Sequence, residues 1–314
     1  MKIAFFSENT FTGKVPRNFE QMRTEFAWMC ALDANHYTLP NKNNPDHGKF
    51  ESHDLGIIII PKKGQYDWDA ILSSLKPACG KLAVMQEGPN WYWQDYPIEQ
   101  QFDYYGILSR VDTIFAHNKS DVLYYQGHFP DKSVYTLQSL MIENSIIRPL
   151  TEKTKDVIIG GNFCSWYSGF DSYVVAKEYS DTVYIPSMGR KIVGEEQVDG
   201  LVHLPYMKWV DWIAELSKYK VGIHLMRTHA AGTFALNCAF LGIPCIGYNG
   251  LDTQMVCHPE TTVDVGDIHS AKKVMLKLAQ DLDFYKECSI FTQKAYDTHY
   301  SERIFLSKFY DKFQ

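Results

Sequence analysis

Short apolar runs, each closed by a polar or Gly/Pro loop, alternate along the chain with segments whose apolar positions recur at three and four. Residues 2–6, 55–60, 81–85, 111–116 and 133–137 read as strands buried on both faces. Between them, residues 18–32 carry Phe19, Met22, Phe26 and Met29 at helical spacing, and 67–76 and 98–108 read as further helices. After Arg148-Pro149 the alternation restarts, with strand-like runs at 156–159, 182–186, 221–225, 244–247 and 262–265. Trp209, Ile213 and Leu216 mark one face of a helix over 208–219, and residues 233–241 form another. Strands alternating with helices predict two α/β units of similar size, each a doubly wound parallel sheet. Ligands of such sheets bind beyond the carboxyl ends of the strands, so the loops there are the places to look for chemistry.

The loop from Arg227 to Thr233, Arg-Thr-His-Ala-Ala-Gly-Thr, ends a strand, turns on small residues and starts a helix at Gly232/Thr233. Free backbone N–H groups at such a start suit a diphosphate, although every α/β crossover also needs a small residue there. Gly160-Gly161-Asn162 is a second strand-end turn, readable as a close approach to a ligand or as a tight strand-to-helix corner. Gly189-Arg190-Lys191 places two cations after the next strand, and with Arg227 they could neutralise phosphate. In the first half, Glu87 follows an apolar strand and precedes Gly88-Pro89-Asn90-Trp91-Tyr92-Trp93. A carboxylate there, crowded by rings that raise its pKa, is placed for general-base work; a turn cap with core tryptophans is the plainer reading. Lys14, Arg17 and Arg23 near the first loop, with Lys62 and Lys63, make a modest basic rim that a solvated face explains equally well.

Charge and cysteine usage narrow the field. The 31 Lys and Arg against 37 Asp and Glu give a net charge of −6, so any nucleic-acid contact must be local. No run approaches the ~18 apolar residues of a membrane span. Seven cysteines without a Cys-x-x-Cys pair, behind a start too short in apolar residues for a leader, predict reduced thiols in the cytoplasm. Cys257-His258 lacks the ligand spacing of a zinc site, so no metal is expected.

The combined pattern resembles the sugar-nucleotide glycosyltransferases of the GT-B fold, in which two Rossmann-like domains face a central cleft. The Gly160-Gly161 opening, the 233–241 helix with its Gly242-Ile243-Pro244 break, His258-Pro259 and Val265-Gly266-Asp267 carry the likeness. Within that fold, Asp156-Val-Ile-Ile-Gly-Gly-Asn-Phe163, the Gly189-Arg190-Lys191 turn and Leu251-Asp252-Thr253 are similar to the phage DNA hydroxymethylcytosine β-glucosyltransferases. The family's catalytic Asp is matched in position by Glu87. Its donor-helix Arg and Glu are matched by Phe234 and Asn237, and Cys164, Ser165, Tyr167 and Ser168 stand where it has arginines.

The resemblance implies an acceptor domain at 1–148, a donor domain at 149–290 and a helix at 291–314 packing back on the first. It implies a UDP-sugar as co-substrate and no tightly bound cofactor. Donor contacts would come from Gly160, Gly161, Asn162, Gly189, Arg190, Lys191, Tyr206, Met207, Arg227, Gly232, Thr233 and Asn237. Glu87 would be the base of an inverting displacement, and Asn9, Lys14, Trp91 and Trp93 the acceptor contacts. The expected acceptor is a hydroxymethylated pyrimidine in double-stranded phage DNA, in the host cytoplasm and away from membranes. The alternatives are a glycan, lipid or protein acceptor, or a non-catalytic sugar-nucleotide-binding protein.

Overall fold

The apolar runs become two parallel sheets. A computed structural model describes residues 1–41, 50–62, 66–143, 152–187 and 189–313. The chain divides into unit 1, residues 1–17, 25–138 and 308 onward, and unit 2, residues 18–24 and 139–307. The boundary expected at 148/149 and Lys63 of the expected basic rim lie outside the described residues.

Unit 1 runs β1 (Ile3–Ser7), β2 (Gly13–Lys14), α1 (Thr24–Ala31), β3 (Asn35–Thr38), β4 (His53–Ile58), α2 (Trp68–Ala78), β5 (Cys79–Met85), α3 (Ile98–Arg110), β6 (Thr113–Ala116), α4 (Lys119–His128) and β7 (Ser133–Thr136). Its sheet order is β2-β3-β1-β4-β5-β6-β7, parallel except for the antiparallel edge pair β2–β3. The chain winds one way from β1 to β3 and the other way from β4 on, so the sheet reverses between β1 and β4. Phe5, Phe6, Ile57 and Ile58 are wholly buried because helices cover both faces, which is why these strands read as unbroken apolar runs. Trp68, Ile71, Leu72 and Leu75 supply the inward stripe of α2, and Asp67 caps it by accepting from Ala70 N at 3.0 Å.

Unit 2 runs β8 (Lys155–Ile159), α5 (Gly169–Ala176), β9 (Val183–Ile185), β10 (Leu201–His203), α6 (Trp209–Leu216), β11 (Tyr219–His224), α7 (Thr233–Phe240), β12 (Cys245–Tyr248), α8 (Asp252–Cys257), β13 (Thr262–Val263), α9 (Ile268–Gln280), α10 (Leu282–His299) and the start of α11 (Glu302–Tyr310), which passes into unit 1 at Lys308. The order β10-β9-β8-β11-β12-β13 is that of a dinucleotide-binding Rossmann sheet, with its reversal between β8 and β11. Gly160 N donates to Ile223 O at 2.8 Å, carrying the β8–β11 pairing to the strand ends. Both reversal points therefore fall beside the loops that the pattern of the chain singles out.

Two expectations change. The first helix begins at Thr24 and not at Asn18, because residues 18–24 belong to unit 2, where Glu20 O accepts from Trp209 N at 2.8 Å. The segment expected to return as one helix from 291 divides. Tyr296, buried against Phe240 and bonded through its hydroxyl to Glu143, keeps α10 in unit 2. The chain joins unit 1 only from Lys308, where Phe309 stacks on Phe115 at 5.8 Å. All seven cysteines are free thiols, and no described helix is long and apolar enough to cross a membrane.

Candidate functional site

In unit 2 the two expected glycines are required by side chains of the protein itself. Neither has a positive φ. A Cβ at Gly160 would lie 2.6 Å from His224 Cγ and 2.8 Å from Phe234 Cδ1, and one at Gly161 2.5 Å from Tyr167 Cβ. The pair thus lets β8 end flush against β11 and α7, and Asn162, buried, closes the corner by accepting Gly169 N at 3.0 Å through its carbonyl. His224 and Phe234 meet edge to face at 5.3 Å, and burial pulls the His224 pKa down to about 4, so the imidazole is neutral.

The loop after β11 leads into α7 through Gly232, held in the left-handed region at φ +65 with no side chain capping the helix. Its carbonyl accepts from Thr253 Oγ1 at 3.2 Å. The first-turn N–H groups of α7 and the helix dipole form an anion-favouring end, with Thr233 exposed beside it. Arg227, exposed, pairs with Asp171 of α5 at 3.1 Å, and the Tyr248 hydroxyl meets the same carboxylate oxygen at 3.4 Å. After β9, Gly189 stands in open space, Arg190 lies over the Trp166 ring at 4.0 Å, and Lys191 pairs with Glu196 at 3.2 Å. After β10, Tyr206 is exposed and Met207 half-buried.

Asn237 does not match its expected role. The side chain is buried, and in the amide orientation that satisfies both groups it donates to Thr233 O at 3.0 Å and accepts from Trp212 Nε1 at 3.1 Å. Its polar atoms are committed to joining α7 and α6 and are not presented to a ribose. His258 is likewise structural. Its Nε2 faces Ala235 O at 2.9 Å, and its Nδ1 takes bonds from Cys245 N at 3.2 Å and Thr292 Oγ1 at 2.9 Å. Among the described residues, no group of three or more His, Cys, Asp or Glu could hold a metal ion.

In unit 1, Glu87 follows β5 and is half-buried, lining a small hollow with Ile60, Met85, Pro89, Tyr92, Trp93, Tyr96 and Tyr104. The rings are there as expected, but so is an ammonium: Lys62 Nζ lies 2.5 Å from Glu87 Oε1 and 5.1 Å from the Tyr92 ring centre. The carboxylate therefore has a counter-charge where the sequence suggested apolar crowding alone. Trp93 stacks on Tyr104 at 5.4 Å, which occupies one of its faces, whereas Trp91 is exposed. Lys14 is paired with Asp33 at 2.5 Å. Asn9 bonds through its side chain to Ser7 Oγ at 2.8 Å, and Ser7 Oγ in turn meets His36 Nε2 at 2.8 Å.

Two features escaped the sequence reading. The pairings of Arg227 with Asp171 and of Glu87 with Lys62 span 56 and 25 residues, so no local pattern marks them, although Lys62 itself belongs to the expected basic rim. Glu195, half of the acidic pair Glu195-Glu196, belongs to no motif singled out in the sequence, yet it is buried.

No family model matches the chain, and no curated protein does. Its fold is GT-B, the class of two Rossmann-like units found among sugar-nucleotide glycosyltransferases. Sucrose-phosphate synthase from Thermosynechococcus elongatus is similar with a TM-score of 0.71 at 10% identity, over 100% of this chain and 99% of that one. An alpha-glucosyltransferase in complex with UDP and a 13-mer DNA containing an HMU base is similar with a TM-score of 0.67 at 12% identity, over 99% and 98%. TarM is similar with a TM-score of 0.63 at 10% identity over 82% of this chain, which spans only 54% of TarM.

Proposed function

We propose that the chain is a glycosyltransferase that moves a sugar from a UDP-sugar to an acceptor hydroxyl. The observation that carries this reading is the convergence in unit 2 of an uncapped α7 start, the Gly160-Gly161 corner and three cations on the carboxyl ends of a Rossmann sheet. The leaving group of the reaction is a nucleoside diphosphate, and fixed N–H dipoles with Arg190, Lys191 and Arg227 stabilise the charge that develops on it. Arg227 and Lys191 are held by Asp171 and Glu196 until a diphosphate, with its higher charge, competes for them. Tyr206 and Met207 are the candidate nucleobase contacts.

Glu87 is the proposed base, accepting the acceptor's hydroxyl proton as the oxygen attacks the anomeric carbon and UDP departs. Lys62 keeps that carboxylate beside its ammonium and is the site from which the base must partly disengage. The acceptor we favour is a hydroxymethylated pyrimidine in DNA, supported by the full-length likeness to a glucosyltransferase solved with HMU-containing DNA. Such a base must leave the duplex, and Trp91, part of whose ring is exposed, is the residue proposed to stack on it. Sugar transfer from UDP-glucose into hydroxymethylated DNA, falling steeply with salt, is the expected result. UDP release without incorporation into any DNA would overturn the acceptor assignment.

A glycan or small-sugar acceptor is the second reading, favoured by the net charge of −6 and by the full-length likeness to sucrose-phosphate synthase. The same assay run with a panel of sugar acceptors separates the two. The anomeric configuration of the product, read by NMR, decides whether displacement is inverting: retention would remove Glu87 from its role.

A further inference from the structure

We infer that Glu195 is a positioning residue that holds two donor-side loops in register, an inference that rests on the reading of unit 2 as the UDP-binding unit. Its carboxylate is fully out of contact with solvent, unlike its exposed neighbour Glu196. Oε2 accepts from Phe163 N at 3.3 Å and from Ile192 N at 3.1 Å. Phe163 directly follows Gly160-Gly161-Asn162, and Ile192 directly follows Arg190-Lys191. Oε1 faces Nε2 of His203, the last residue of β10, at 3.7 Å, beyond hydrogen-bond distance.

The strands that feed these loops, β8 and β9, are neighbours in the sheet, but their ladder stops where the loops begin. Beyond that point Glu195 is a shared anchor for the phosphate-side corner and the cation-bearing turn, through its two hydrogen bonds. A buried carboxylate is unfavourable unless charge-assisted hydrogen bonds offset its lost hydration, and bonds of that kind are strong and directional. Gly194, at φ +84, makes the turn that brings residue 195 inward. An apolar side chain could fill the same volume but could not fix the direction of two loop N–H groups at once.

The test measures UDP affinity by calorimetry, and donor and acceptor KM values separately, in the full chain. Glu195→Asp keeps the charge but is one methylene too short to reach both N–H groups; UDP affinity is expected to fall about tenfold or more. Glu195→Ala should fall at least as far. Glu195→Gln keeps an acceptor oxygen for both N–H groups and is expected to stay within about threefold of wild type. Donor KM should rise in the Asp variant while acceptor KM does not, a split that general loss of stability would not produce. Wild-type UDP affinity in Glu195→Asp, or a loss in Glu195→Gln equal to that in Glu195→Ala, overturns the positioning role. A wild-type chain that fails to bind UDP overturns the donor reading itself, and with it this inference.

Discussion

Replacing Gly232 with alanine tests the α7 start at its tightest point. Two penalties can be separated. At φ +65 an L-residue meets its own carbonyl, which is unfavourable by about 1–2 kcal/mol. The added Cβ would also stand 2.0 Å from Thr253 Oγ1 and 3.2 Å from Thr253 Cβ, and Thr253 is buried. Overpacking of that kind is worth about 1–3 kcal/mol, so Gly232→Ala should destabilise unit 2 by roughly 2–5 kcal/mol. Thr253→Ala alone removes a 3.2 Å hydrogen bond to Gly232 O, about 1 kcal/mol. The pair are in contact, so their effects should not add. In the Thr253→Ala background the 2.0 Å clash with Oγ1 is gone, and the glycine substitution should be left with its backbone penalty, about 1–2 kcal/mol, and the 3.2 Å contact with the retained Cβ of residue 253. Urea denaturation of the four proteins gives the cycle, and calorimetry with UDP gives the functional arm, where moving the helix start should weaken binding about tenfold. Additive stabilities, or a Gly232→Ala protein as stable and as tight for UDP as wild type, would refute the close-approach argument.

Glu87→Gln keeps the size of the side chain but removes the base, so turnover should fall about 10²- to 10⁴-fold while UDP affinity stays within a few-fold, measured by initial rates and calorimetry. Arg227→Ala should weaken UDP binding and lower kcat/KM for the donor together, roughly ten- to hundredfold, leaving Asp171 and Tyr248 paired with each other. His36, His117, His224 and His258 are buried, and burial pulls each from 6.5 to about 4. The unfolded chain therefore binds more protons between those values. The stability from each is complete above about pH 6.5 and declines as pH falls toward 4, by about 2 kcal/mol per histidine at pH 5. Urea midpoints that do not fall between about pH 7.5 and 5 would contradict this.

The strands were legible because both faces of each sheet are covered, which forces nearly continuous apolar runs such as Ile57-Ile58 and Val157-Ile158-Ile159. Elements without that signature were not. β2 is two residues long, and α4 carries Val122, Leu123, Tyr124 and Tyr125 in succession without a clear apolar stripe, ending at Gly127-His128. Residues 18–24 read as helix because Phe19 and Met22 fit the spacing, yet their place is set by a backbone bond to Trp209, nearly two hundred residues away.

The same distinction runs through the site. Which loops gather at the strand ends follows from the alternation of strands and helices, because parallel sheets collect all their carboxyl-end turns on one edge. Which polar groups in those loops are already engaged does not follow, since each partner arrives from a different element. Lys14 meets Asp33, Lys62 meets Glu87, Arg227 meets Asp171, and Asn237 meets Trp212. The two kinds of engagement have different consequences. An exposed ion pair exchanges its partner at little free-energy difference, so Arg227 can pass from Asp171 to a diphosphate and remain a ligand candidate. A buried amide bonded to another element cannot turn outward without stranding Trp212 Nε1, so Asn237 leaves the donor site. Burial and partner count, more than residue type, therefore separate the side chains that act on a ligand from those that hold the loops for it.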